Sequence, residues 1–115
     1  MKNLDSKVSN DGITTLQLKI NPETKRLLWY VFGSSRGGPA RIKIISALRN
    51  RPLNANEITK VVGLDYKAIQ HHISVLEKNN LITRSGPRYG AIYFVSGLLE
   101  VNMEGFDEIL LKTTK

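Results

Sequence analysis

Asn54 to Ile82 reads NANEITKVVGLDYKAIQHHISVLEKNNLI. Asn54 and Glu57 form an Asn-x-x-Glu variant of the capping box ahead of an apolar stretch: the Asn side chain accepts from the amide three residues on, and the Glu reaches back to the cap amide. Ile58, Val61 and Val62 supply the apolar face of the helix so opened. Gly63 suits the left-handed position after its last turn, which makes that helix about two turns long. Only Leu64 then precedes Asp65, a good N-cap for YKAIQHHISVLEKN, where Ile69, Ile73 and Leu76 fall at i, i+4 and i+7 and give one core face. Two helices joined by a turn of about three residues that contains glycine make a helix-turn-helix unit.

Upstream, RIKIISALRNR, Arg41 to Arg51, spaces Ile42, Ile45 and Leu48 for a buried stripe. Arg36-Gly37-Gly38 breaks the chain before it, Pro39 suits its first turn, and Pro52 ends it. Earlier still, Asn21-Pro22-Glu23 opens a helix that runs to about Phe32 and stops at Gly33-Ser34-Ser35. Its run LLWYVF, Leu27 to Phe32, is apolar on more than one face, so one face is expected to meet a second subunit; the alternative is a helix buried inside its own domain. Residues 1–20 read as a flexible arm, polar over 1–12, with a short strand at ITTLQLKI, where Leu16, Leu18 and Ile20 keep period two.

Downstream the period changes to two. LITR, a turn SGPRYG and AIYFV read as a hairpin over residues 81–96. The segment SGLLEVNMEGFDEILLKTTK then places Leu99, Met103, Phe106 and Leu110 at spacings of 4, 3 and 4, the seam of a helix over 97–112 that packs on another helix. Gly105 is expected to bend that helix or delay its start. The fold class is mainly α (α+β), with one domain over 21–112.

The 17 Lys and Arg against 10 Asp and Glu give a net charge of +7. Residues 1–35 carry 5 basic and 3 acidic side chains, residues 36–89 carry 10 and 3, and residues 90–115 carry 2 and 4. The excess sits in the middle segment, as expected of a surface for a polyanion, nucleic acid first among them. A solvated basic face without a partner is the plainer reading. With 0 Cys there is no disulfide framework, thiol switch or thiolate metal site. The longest apolar run, Leu27 to Phe32, is too short to cross a bilayer and the polar start lacks a signal-peptide core, so a soluble cytoplasmic protein is expected.

Helix, helix, turn, helix, hairpin, helix is the order of a winged helix domain. Arg41 to Leu48, RIKIISAL, resembles the opening helix of ArsR-type bacterial and archaeal regulators. Asn54 to Ile82 is similar to their helix-turn-helix, and YGAIYFVS, Tyr89 to Ser96, resembles the second wing strand of archaeal members. The resemblance covers about residues 22–112. It implies a transcriptional regulator that binds double-stranded DNA as a homodimer, with a two-stranded wing and with the N- and C-terminal helices pairing the subunits. The dimerisation residues would be Leu27, Leu28, Trp29, Val31, Phe32, Leu99, Met103, Phe106 and Leu110. ArsR-type metal sensors often carry paired cysteines on the helix before the recognition helix. Here that helix reads ANEITKVV, so metal sensing through it is not carried over and no metal or cofactor is expected.

With Ile69, Ile73 and Leu76 turned inward, the second helix of the unit turns Tyr66, Lys67, Gln70, His71 and Ser74 outward, toward base edges if it lies in a major groove. Gln70 suits an adenine edge, Lys67 a guanine or a phosphate, and Tyr66 and His71 either base or backbone. A merely solvated face would more often carry Glu and Lys pairs at i, i+4. His72, about 100° round from His71, reads as a hydrogen-bonded edge or core histidine rather than a ligand. On the wing, Arg84 and Arg88 are expected at phosphates or a narrow minor groove, unless the wing only caps the core. Asn54, Asn56 and the free amides beside them suit a phosphate, with Arg36, Arg41 and Lys60 as weaker candidates.

No catalytic constellation is visible: cysteine is absent, the 2 histidines are neighbours, and Gly37-Gly38 is not followed by the Lys-Ser/Thr of a phosphate loop. An enzyme is therefore not expected. The alternative to a DNA-binding regulator is a winged helix that contacts protein or serves as an architectural nucleic-acid-binding module. RNA is disfavoured by an aromatic content of 7% and by the lack of a stacking motif.

Overall fold

Asn21 accepts hydrogen bonds from the amides of Glu23 (2.8 Å) and Thr24 (3.4 Å), and with Pro22 at the first position it starts the helix as its sequence requires. The computed structural model describes residues 21–113, so the arm and strand expected over 1–20 lie outside the described residues. The elements in order are α1 (Pro22–Leu28), continued by a π-turn (Trp29–Gly33), α2 (Gly38–Asn50), β1 (Leu53–Asn54), α3 (Ala55–Val62), α4 (Tyr66–Lys78), β2 (Ile82–Ser85), β3 (Ile92–Val95), α5 (Gly97–Val101) and α6 (Met103–Thr113). This is a winged helix: α2, α3 and α4 form the three-helix unit, and β2 and β3 form the wing.

The first helix does not run on to Phe32 as an α-helix. It widens at Trp29, and the chain turns back so closely that a Cβ on Gly38 would lie 2.4 Å from the Phe32 carbonyl oxygen. Only glycine permits that crossing of α1 and α2. At the other end of α2, Pro52 forces the residue before it out of the helical region, and Arg51 is extended (φ −169°, ψ 157°). The helix therefore ends at Asn50, and the extended chain goes straight into a strand.

That strand extends the sheet beyond the two strands of the expected wing. The sheet has three antiparallel strands in the order β1-β3-β2, with Leu53 opposite Tyr93 and Ile82 opposite Val95. Leu53 and Tyr93 are both buried, which ties the root of the wing to the start of α3. The C-terminal helix breaks at Asn102, not at Gly105. Asn102 is buried and donates from Nδ2 to the Leu98 carbonyl (2.8 Å), closing α5 before α6 begins. Gly105 lies within α6, where a Cβ would come 3.2 Å from Leu28. It brings α6 close to α1 and does not bend it.

The core is continuous, built from Ile44, Ile45, Ile58, Ile69, Ile73, Leu76, Leu81 and Leu99. Phe32 and Phe106 join it edge to face, ring centres 5.0 Å apart at 84°. The terminal apolar residues thus divide in two. Leu28, Val31, Phe32, Leu99 and Phe106 are buried within the chain itself, at 0–1% exposure. Side chains with no free surface can serve a subunit contact only by backing their neighbours, because α1 and α6 already cover each other. Trp29, Tyr30 and Leu111 are exposed at 45%, 63% and 70%, and Leu27, Met103 and Leu110 are half-buried. Among the described residues no helix is long and apolar enough to cross a membrane.

Candidate nucleic-acid interface

Asp65 Oδ1 accepts from the Ala68 amide at 2.8 Å and starts α4, and Ile69, Ile73 and Leu76 anchor it in the core. Its opposite face is polar: Tyr66, Lys67, His71 and Ser74 are exposed and Gln70 is half-buried. The wing begins directly after α4. Asn80 takes a left-handed conformation (φ 61°) and its carbonyl accepts from Ser96 Oγ at 2.7 Å, which fixes where the hairpin leaves the body. Gly86 and Gly90, at φ 93° and 76°, shape its tip.

Helix and wing meet. Gln70, Ser74, Arg84 and Arg88 line one small cleft of about 100 Å³, with Glu77 and the buried Tyr93 at its floor. Four of the expected contact residues are therefore neighbours in space. Arg84 is held over the helix by an ion pair to Glu77 (Nε to Oε2, 3.4 Å), while Arg88 makes no ion pair among the described residues. Tyr89, next to Arg88 in the chain, is 92% exposed at the wing tip and was not among the expected contact residues. An aromatic beside an arginine in a glycine-bounded turn was the available signal.

Asn54 and Asn56 lie outside that cleft. The reciprocal cap is complete: Asn54 Oδ1 accepts from the Glu57 amide and Glu57 Oε1 accepts from the Asn54 amide, both at 2.8 Å. The Asn54 oxygen is thus committed to the helix, and Arg51 stands 3.7 Å from the Glu57 carboxylate. Asn56 is exposed.

Arg41 is not a surface cation, which corrects its reading as a phosphate candidate. It is buried at 7% exposure, where Nη1 donates to the Val31 carbonyl (3.0 Å) and to Ser35 Oγ (3.1 Å) and Nε donates to His72 Nδ1 (3.3 Å). It holds the π-turn onto α2 and α4. Burial lowers its pKa, partly offset by Tyr30. His72, the expected core histidine, is 9% exposed. Burial first, then Arg41, then His71 hold its pKa below the usual value, so it is neutral at pH 7.

Residues 38–84, from α2 into the wing, match the model of the bacterial regulatory protein, arsR family. No curated protein matches the sequence. Among solved structures, HlyU from Vibrio cholerae is similar with a TM-score of 0.60 at 16% identity, over 84% of this chain and 99% of that one. The PcaV transcriptional regulator from Streptomyces coelicolor is similar at 0.58 and 16%, over 92% and 76%. A homodimeric winged helix-turn-helix DNA-binding domain from Mycobacterium bovis, described as a possible ArsR-family transcriptional regulator, is similar at 0.54 and 9%, over 99% and 90%. At such identities the likeness is one of fold. Taken with the match over the three-helix unit, it shows a winged helix-turn-helix fold whose residues 38–84 are similar to the arsR family.

Proposed function

We propose that this protein is a cytoplasmic transcriptional regulator that binds double-stranded DNA sequence-specifically as a homodimer, with α4 in the major groove and the wing beside it. The observation that carries this reading is the cleft in which Gln70 and Ser74 of α4 stand against Arg84 and Arg88 of the wing. A groove-reading side chain and two cations for the adjoining phosphates then sit on one face, with Lys67 and His71 exposed beside them. The match of residues 38–84 to a regulator family supports it.

The two-fold contact is assigned to α1 and α6 through Trp29, Tyr30 and Leu111, with Leu27, Met103 and Leu110 at its margin. Leu28, Val31, Phe32, Leu99 and Phe106 stiffen the pair from behind. The homodimeric neighbour supports a dimer. A closed two-fold contact presents two copies of α4 about one turn of DNA apart and so calls for a pseudo-palindromic site. Selection of bound duplexes from a random pool tests this. Recovery of a palindromic consensus is the expected result, and binding without any sequence enrichment would leave only a non-specific DNA-binding module.

A further inference from the structure

A second group of donors lies away from the cleft, at the N-terminus of the 13-residue helix α2. Arg36, Ala40, Lys43 and His72, with Pro39 and Leu64 as apolar walls, line a cavity of about 340 Å³ between α2 and the turn that joins α3 to α4. No acidic side chain lines it.

Its polar groups are donors. The Gly38 amide is satisfied by the Ser35 carbonyl and the Arg41 amide by the Gly37 carbonyl; Pro39 has none, and the Ala40 amide has no acceptor among the described residues. Because His72 Nδ1 accepts from Arg41, the proton of this neutral, nine-tenths buried ring is on Nε2, and that donor too has no acceptor among the described residues. Behind the ring stands Arg41, a buried cation that makes no ion pair among the described residues. Gly37 keeps the floor open: a Cβ there would lie 2.5 Å from Arg41 Nη2 and 2.9 Å from His72 Cε1.

Donors on two helices lining one cavity, a helix N-terminus and uncompensated positive charge suit a tetrahedral anion with several acceptor oxygens. We propose that this cavity is an oxyanion site that takes a phosphate group, with Arg36 and Lys43 at its rim and the Ala40 N–H and His72 Nε2–H beneath. Two sources offer that chemistry: free phosphate carried by a small molecule, and the backbone of duplex DNA. Either occupant touches α4 through His72, adjacent in sequence to His71 on the face assigned to DNA. The duplex arm of the test rests on the proposed function; the phosphate arm does not.

Nitrogen-proton correlation spectra of the full chain, titrated at constant ionic strength with inorganic phosphate and separately with a short duplex, decide it. The expected result is a saturating shift of the Ala40 amide and of the His72 side-chain nitrogens. In an Arg36→Ala/Lys43→Ala variant, in which only exposed side chains change, the same shifts require on the order of tenfold more ligand. Shifts with phosphate assign a small-molecule site, and shifts with duplex alone assign a backbone contact. If neither ligand moves these signals, or the variant titrates like the parent, the proposal fails. A chain that binds phosphate here but ignores every duplex would remove the DNA reading and leave the site.

Discussion

Arg41 donates from Nε to Nδ1 of His72 at 3.3 Å, and both side chains are buried where α2 crosses α4. Because the folded protein lowers the His72 pKa, the unfolded chain binds the proton more readily. Stability is therefore full above the ordinary histidine value near 6.5 and is lost as pH falls through that value toward the lower folded one. Protonation would also set a second cation against Arg41 and remove its acceptor. Urea unfolding between pH 7.5 and 5 should show falling stability, with a weaker dependence in His72→Asn, whose Oδ1 can still accept from Arg41. An equal slope in the variant would assign the acid sensitivity to other groups.

Gly38 tests the crossing of α1 and α2. The collision of a new Cβ is with the Phe32 backbone, which cannot rotate away, so Gly38→Ala should cost about 3 kcal/mol. Gly97, with nothing within 4 Å of its Cβ position and a place in the first turn of α5, is the control. Gly97→Ala should be neutral or stabilise by roughly 0.5 kcal/mol. Denaturation midpoints of the two variants give the comparison, and a neutral Gly38→Ala would mean that α1 can move away from α2.

Much of this architecture was legible because its signals are local. The Asn54 and Glu57 cap, Gly63 in its left-handed turn and the Asp65 cap each depend on residues within one helical turn, and all form as read. Features that depend on distant partners were hidden. β1 is two residues long and exists only because Leu53 finds Tyr93 on β3. Arg41 carries no periodic signal of burial; it is buried because a π-turn brings the Val31 carbonyl and Ser35 to it. The helix break fell at Asn102, whose side chain caps α5. Glycine is the usual breaker, but Gly105 is held inside α6 by packing on Leu28. On the candidate site, the outward face of α4 followed from its buried stripe, whereas the meeting of Gln70 with Arg88 required the wing's placement.

The exposed apolar residues of the terminal helices make the subunit assignment testable without disturbing the core. Tyr30→Glu and Leu111→Glu place a charge at positions 63% and 70% exposed, so the protomer should keep its helical spectrum and its melting midpoint at low concentration. A charge left unpaired in a desolvated contact should weaken the dimer by at least about tenfold for each change. Sedimentation at micromolar concentration should find the parent dimeric and the double variant monomeric. A parent that sediments as a monomer with and without DNA would overturn the assignment.

Gln70 and Arg88 share the cleft but are assigned different work, and the difference is measurable. Gln70 projects from a helix fixed in the core by Ile69 and Ile73, so its amide can be held to one base edge with little loss of side-chain freedom. Gln70→Ala should cost about 1–3 kcal/mol on the selected site and much less on random duplex. Arg88 sits on a glycine-bounded tip, where a phosphate contact is the same for every sequence. Arg88→Ala should weaken both duplexes alike and reduce the slope of log affinity against log salt by about 0.9 per subunit. Arg84 should fall between them, because its ion pair with Glu77 already spends part of its charge. Isotherms for each variant on both duplexes across a salt series separate these outcomes. Equal losses for Gln70→Ala would remove it from base readout, and an unchanged salt slope for Arg88→Ala would leave the wing as a cap on the core.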